Sequence, residues 1–165
     1  MRSSAGGWVL VSAVAFTLSC AITARSARLQ LQVHVANDVN DDRPIPVDVV
    51  FVWDKATAAK LEALSAKDWF DRKTALRRDD PAERNLTVRD WEWVPGQEVP
   101  DIDLSVRATS RRWLKAIYVF ANYRTEGPHR ARVFPGSATL ALQKDDFQIQ
   151  PAGAAPKAPV SDKEP

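Results

Sequence analysis

The sequence has one cysteine in 165 residues, so no internal disulfide can staple the fold. A zinc site needs three or four ligands, and two histidines without a usable cysteine do not suggest a set; neither histidine, His34 or His129, stands in a nucleophile–base–acid pattern. The six glycines form no phosphate-cradling loop. Charge of one sign is missing as well: 23 basic residues face 21 acidic ones, a net +2, which gives no general reason to expect nucleic acid as a partner. No apolar run approaches the roughly 20 residues needed to cross a bilayer core. These absences argue against an enzyme, a metalloprotein and a cofactor-binding protein.

What is present begins at the N-terminus. Arg2 supplies a positive start, Trp8 to Phe16 an apolar stretch, and Thr17-Leu18-Ser19-Cys20 a run of small or apolar residues ending in the lone cysteine. The pattern predicts an export signal over residues 1–19. By itself, Cys20 can be a free thiol, an intermolecular bridge or a chemically capped group. A small residue directly before a cysteine after such an apolar stretch resembles the lipobox of bacterial lipoproteins, which implies an acylated Cys20 at the mature N-terminus. Ordinary cleavage after Ala21 or Ala24 is the competing reading. Several acyl chains, at about 0.8 kcal/mol per buried CH₂, give a stable anchor where one would be marginal. Ala21, rather than Asp, after the cysteine implies, by the same resemblance, sorting to the outer membrane. Removing Arg2 with the signal leaves a net charge of +1.

Residues 20–27 then read as a lipidated cysteine and short tether, 28–150 as one domain long enough to bury its own core, and 151–165, rich in Pro, Ala and charge, as a disordered tail. Arg28 to Val35 alternates polar and apolar without exception and predicts a strand, with His34 on its solvated face. Ala36 to Pro44 is a loop longer than a tight hairpin needs, and such loops on a β scaffold tend to carry binding residues. Within it Val39 is an apolar group placed to meet a partner. Asp38, Asn40 and Asp42 fall at alternate positions like the start of a calcium loop, but Arg43 stands where its glycine belongs and Val49 where its glutamate belongs.

Ile45 to Trp53 is apolar on both faces and predicts a central strand. Asp54 can cap a helix over Lys55–Leu64, and Ser65 with Asp68 makes a second capping pattern, giving a helical insertion over about residues 54–72. Trp69 and Phe70 are expected to seal one end of a core. Lys73 to Arg84 reads as irregular. Further strands are expected over Leu86–Val94, Ile102–Arg107, Trp113–Tyr123, Arg130–Val133, Ser137–Leu142 and Asp146–Gln150. Asp90 and Glu92 lie side by side on one strand face, not opposed across a substrate as a glycosidase needs. Short alternating strands with one helical insertion predict an all-β fold, a two-sheet antiparallel β-sandwich.

The order of parts resembles the outer-membrane lipoproteins of type VI secretion systems, the TssJ or SciN family. Ser19-Cys20-Ala21, the Leu29–Val35 strand, the loop ending Arg43-Pro44 and entering Val47 to Trp53, the Leu64–Phe70 insertion, the Val94-Pro95-Gly96 break and the Ala116–Arg124 strand carry the likeness. Departures at Thr17, at Trp91-Glu92-Trp93 and at His129 to Arg132 indicate a divergent subfamily. The resemblance implies a transthyretin-like sandwich that binds the periplasmic part of the large inner-membrane secretion subunit. It implies that the binding residues are in the loop after the first strand, here Val39, Asn40, Asp41, Asp42 and Arg43, with Cys20 holding the outer membrane. A second class of function is a periplasmic binding module that stacks carbohydrate or peptidoglycan on Trp69, Trp91, Trp93 or Trp113. Exposure of Trp91 and Trp93 discriminates the two.

Overall fold

The structure, a computed structural model, describes residues 26–108 and 112–152. The expected signal, Cys20 and most of the tether, and the tail beyond Ala152, lie outside the described residues.

Eight strands form two four-stranded sheets: β1 (Ser26–Val35), β4 (Ile102–Arg107), β7 (Gly136–Leu142) and β8 (Phe147–Pro151) in the order β4-β1-β7-β8, and β2 (Ile45–Val52), β3 (Leu86–Trp93), β5 (Ala116–Ala121) and β6 (Arg130–Val133) in the order β3-β2-β5-β6. All pairs are antiparallel except β1 with β7, which run parallel with Leu29 opposite Gly136. The strands form because each has an apolar face to bury. On β1 that face is Ala27, Leu29, Leu31 and Val33, and it meets Val47, Val49 and Phe51 of β2 in one core cluster between the sheets.

The second sheet is covered on its other face as well. Helices α1 (Lys55–Glu62) and α2 (Ala66–Asp79) lie over it and bury Val50, Val52, Leu86, Val88, Tyr118 and Phe120 against Leu61 and Trp69. β2 is apolar on both sides because it is buried on both sides. Each helix starts at a side-chain cap: Asp54 accepts the Thr57 N–H at 2.9 Å, and Ser65 and Asp68 complete a reciprocal capping box. Those hydrogen bonds, from Thr57 and from Ser65 respectively, hold the Asp54 and Asp68 carboxyls below their ordinary range.

Several expectations are corrected. β1 starts at Ser26, so the last two residues expected in the tether belong to the sheet. The segment read as irregular from Lys73 is the second half of α2, which runs to Asp79. Its sequence is too charged to show an apolar stripe, and it is held by Lys73, whose Nζ lies 3.0 Å from Asp48 Oδ2 on β2. Asp48 also accepts the Trp69 indole N–H at 2.8 Å, and Trp69 stacks on Phe120 with centroids 5.1 Å apart. Trp69 thus packs mid-sheet under the helices and does not seal an end. The fifth strand is confined to Ala116–Ala121, because Arg112 and the exposed Trp113 belong to the connection that crosses from one sheet to the other.

Candidate functional site

Strand directions sort the connections. β1 and β7 end where β2, β4, β6 and β8 begin, so the loops 36–44, 94–101, 122–129 and 143–146 gather at one end of the sandwich. The chain enters β1 at the other end. Ten residues at about 3.3 Å each separate the two ends by about 30 Å.

Asn40 ties three of the four loops together. Its backbone N–H donates to the Lys144 carbonyl at 2.9 Å, its Nδ2 to the Pro44 carbonyl at 3.0 Å, and its Oδ1 accepts the Arg124 backbone N–H at 2.9 Å. Asn40, Asp41 and Asp42 have φ of 51°, 55° and 58° in succession, a left-handed turn that Asn and Asp tolerate better than other side-chain-bearing residues. The fourth loop joins through Gly96, whose N–H donates to the Ala36 carbonyl at 3.1 Å. At its φ of +66° an added Cβ would collide with the Asn37 side chain.

A second polar cluster braces the loops after β5 and β7. The Tyr123 hydroxyl donates to the carbonyls of Gln143 (3.0 Å) and Asp146 (2.8 Å), and burial, reinforced by the Asp146 charge, pushes it well above the ordinary phenol range, so it stays a donor. Thr125 Oγ1 donates to the Asp145 carbonyl at 2.7 Å. The buried His129 ring lies 4.9 Å from that of Tyr123, with Nδ1 3.0 Å from Asp146 Oδ1 and Nε2 donating to the Thr125 carbonyl at 2.9 Å. Gly127 lies close over this ring, leaving no room for a Cβ.

Of the five loop residues expected to bind a partner, the structure exposes Asp41, Asp42 and Arg43 and withdraws the other two. Val39 is fully buried in the inter-sheet core and is not an apolar contact offered outward; Asn40, 5% exposed, is the internal brace. A lone valine among polar residues plugs the open end of the sandwich, where an exposed apolar group gains nothing. Sequence reasoning missed Tyr123, His129 and Asp146. The available signal was a Tyr closing an apolar strand just before a Gly-Pro turn; the partner in the 143–146 loop had none. Exposed acids at this end, Asp38, Asp41, Asp42, Glu126, Asp145 and Asp146, outnumber Arg43, Arg124 and Lys144.

Of the four tryptophans expected as a stacking platform, Trp113 alone is exposed, and the other three pack into the cores. Trp91 and Trp93 stack with centroids 5.8 Å apart on the inner face, Trp93 buried and Trp91 packed against the same core, and Trp69 is under the helices. Among the described residues no group of three His, Cys, Asp or Glu side chains is placed to hold a metal ion.

No protein-family model and no curated protein matches the chain in sequence. Among solved structures it is similar to the type VI secretion lipoprotein TssJ1 from Pseudomonas aeruginosa, with a TM-score of 0.54 at 12% identity over 78% of this chain and 98% of that one. It is also similar to Lip from Serratia marcescens, a membrane-bound component of the type VI secretion system, with a TM-score of 0.52 at 15% identity over 75% of this chain and 96% of that one. The two-sheet sandwich with its helical layer is therefore the fold of these type VI secretion lipoproteins, held at low sequence identity.

Proposed function

We propose that the chain is a lipid-anchored subunit of a type VI secretion envelope complex, acylated at Cys20 in the outer membrane and binding the periplasmic part of the large inner-membrane subunit through its four-loop end. The observation that carries this reading is the opposition of the two ends. An anchor before β1 would leave the 36–44, 94–101, 122–129 and 143–146 loops at the end of the sandwich away from the bilayer, about 30 Å along β1 from the point of entry. The likeness in fold to TssJ1 and Lip supports it. The excess of acids at the loop end favours a basic patch on the partner, which would speed encounter and set orientation more than it adds affinity.

Capture of the inner-membrane subunit's periplasmic domain tests the loop. Replacing Asp41, Asp42 and Arg43, all exposed, should abolish capture with the melting temperature unchanged, and retained capture would remove the loop from the proposal. Mass spectrometry of the mature protein, or labelling with a palmitate analogue in wild type and Cys20→Ala, tests the anchor. An unmodified Cys20 thiol would reject it.

A further inference from the structure

The end at which the chain enters the sandwich has a character of its own. Two connections cross there from one sheet to the other, and each carries a large exposed apolar side chain: Phe134, 76% exposed, between β6 and β7, and Trp113, 41% exposed, between β4 and β5. Val94 is the other large exposed apolar group among the described residues, and it is at the loop end. Phe134 stands at the mouth of an apolar cleft of about 260 Å³ between the edge strands β6 and β8, lined also by Val133, Pro135, Ala138, Ile149 and Pro151. Leaving such groups in water forfeits burial at about 25 cal/mol per Å², so their concentration at one end marks a contact surface.

The charge around them has one sign along the chain. Between Asp103 and Glu126, and again between Glu126 and Asp145, there is no acid. From these stretches Arg107, Arg112, Lys115 and Arg132 come to this end; Asp54 at 3.2 Å from Arg112, Glu62 at 4.0 Å from Arg132, and Asp80 and Glu83 in the turn before β3, where Arg77 also lies, are partial counterweights. The loop end is acidic, so the domain is polarised along its long axis. The tether is short: with β1 starting at Ser26, residues 21–25 alone separate it from Cys20 and span at most about 20 Å.

We propose that the entry end is a membrane-contact face: Phe134 and Trp113 seat at the headgroup–acyl boundary of the leaflet that holds the Cys20 lipid, and Arg107, Arg112, Lys115 and Arg132 meet its anionic phosphates. The orientation rests on acylation of Cys20; the affinity of the face for lipid does not. Aromatic side chains flanked by cations, next to a short lipidated tether, match the interfacial boundary of an anionic leaflet, and the acidic loop end is thereby held outward. The face gives the anchored domain a fixed orientation, which lowers the entropic cost of docking a distant partner.

The test uses the mature chain with Cys20→Ser, unacylated, so that the face is measured without the anchor. It is mixed with vesicles of phosphatidylethanolamine and phosphatidylglycerol, and separately with phosphatidylcholine vesicles, and the bound fraction is read by co-sedimentation. Partition is expected to be about tenfold stronger to the anionic vesicles and to fall with salt. The Phe134→Ser, Trp113→Ser pair should weaken it about tenfold. Arg107→Gln with Lys115→Gln should remove the anionic preference, and Lys67→Gln, an exposed cation at the start of α2 away from this end, should leave vesicle partition unchanged. Equal partition of wild type and the aromatic pair, or none by either, would overturn the proposal. So would a concentration-dependent dimer that Phe134→Ser dissolves, which would assign the face to a second copy. Palmitate labelling in cells reads the anchor independently, so failure of the face and failure of acylation are distinguishable.

Discussion

The side-chain oxygen of Asn40 accepts the backbone N–H of Arg124 at 2.9 Å, across 84 residues of sequence. The loop after β1 is therefore a braced platform, with its conformation set before any partner arrives. Pre-ordering of this kind leaves less entropy to be lost on binding.

Asn40→Ala removes two side-chain hydrogen bonds and places a less tolerant residue at a φ of 51°. It should cost about 2 kcal/mol of stability, read as a shift in the urea midpoint at unchanged slope. Asp41→Gly and Asp42→Gly act in the opposite sense. Glycine accepts the left-handed backbone freely, so stability should hold or rise by up to about 1 kcal/mol, while capture, if the loop binds the partner as proposed, should weaken through lost charge.

The Asp48–Lys73–Trp69 cluster attaches α2 to the sheet. Asp48→Ala should destabilise by about 2–3 kcal/mol, short of the loss for a fully buried pair because Lys73 can turn to water. Asp48→Asn, which can still accept from Trp69, should cost less. A double-mutant cycle with Lys73→Met separates the ion pair from the indole hydrogen bond.

His129→Ala empties the space over Tyr123 and leaves Asp146 and the Thr125 carbonyl without their ring partner. A cost of about 1–3 kcal/mol is expected, together with faster amide exchange in the 122–129 and 143–146 loops. If the four-loop end binds the partner as proposed, capture should weaken even though His129 is buried.

The caps give a pH signature. The Asp54 and Asp68 carboxyls are depressed in the folded state, so their contribution is complete above the unfolded carboxyl range and is lost as pH falls through the lower folded values. Urea midpoints should therefore drop on going below about pH 4. Ser65→Ala, which removes the hydroxyl hydrogen bond to Asp68, should cost about 1 kcal/mol near neutrality and flatten part of that acid dependence.

Local signals were the readable ones. The unbroken alternation from Arg28 to Val35 placed β1, apolarity on both faces of Ile45–Val52 placed a central strand, and Ser65 with Asp68 placed the start of α2, because each depends on neighbours within a few residues. The second half of α2 was not readable, since Lys73 is held by Asp48, 25 residues away. Val39 misled for the same reason: its neighbours in sequence are polar, and its neighbours in space are the core.

Composition and periodicity thus specified strands, caps and a β-sandwich, and the lone cysteine after an export-like stretch carried only a resemblance to a lipobox. Which strands pair, that β7 lies parallel to β1, and that four separate loops share one end while Phe134 and Trp113 share the other, came from long-range packing. Period-2 patterning tells each strand which face to bury but not against which partner; burying all the inner faces together selects one pairing and, with it, the two ends of the molecule.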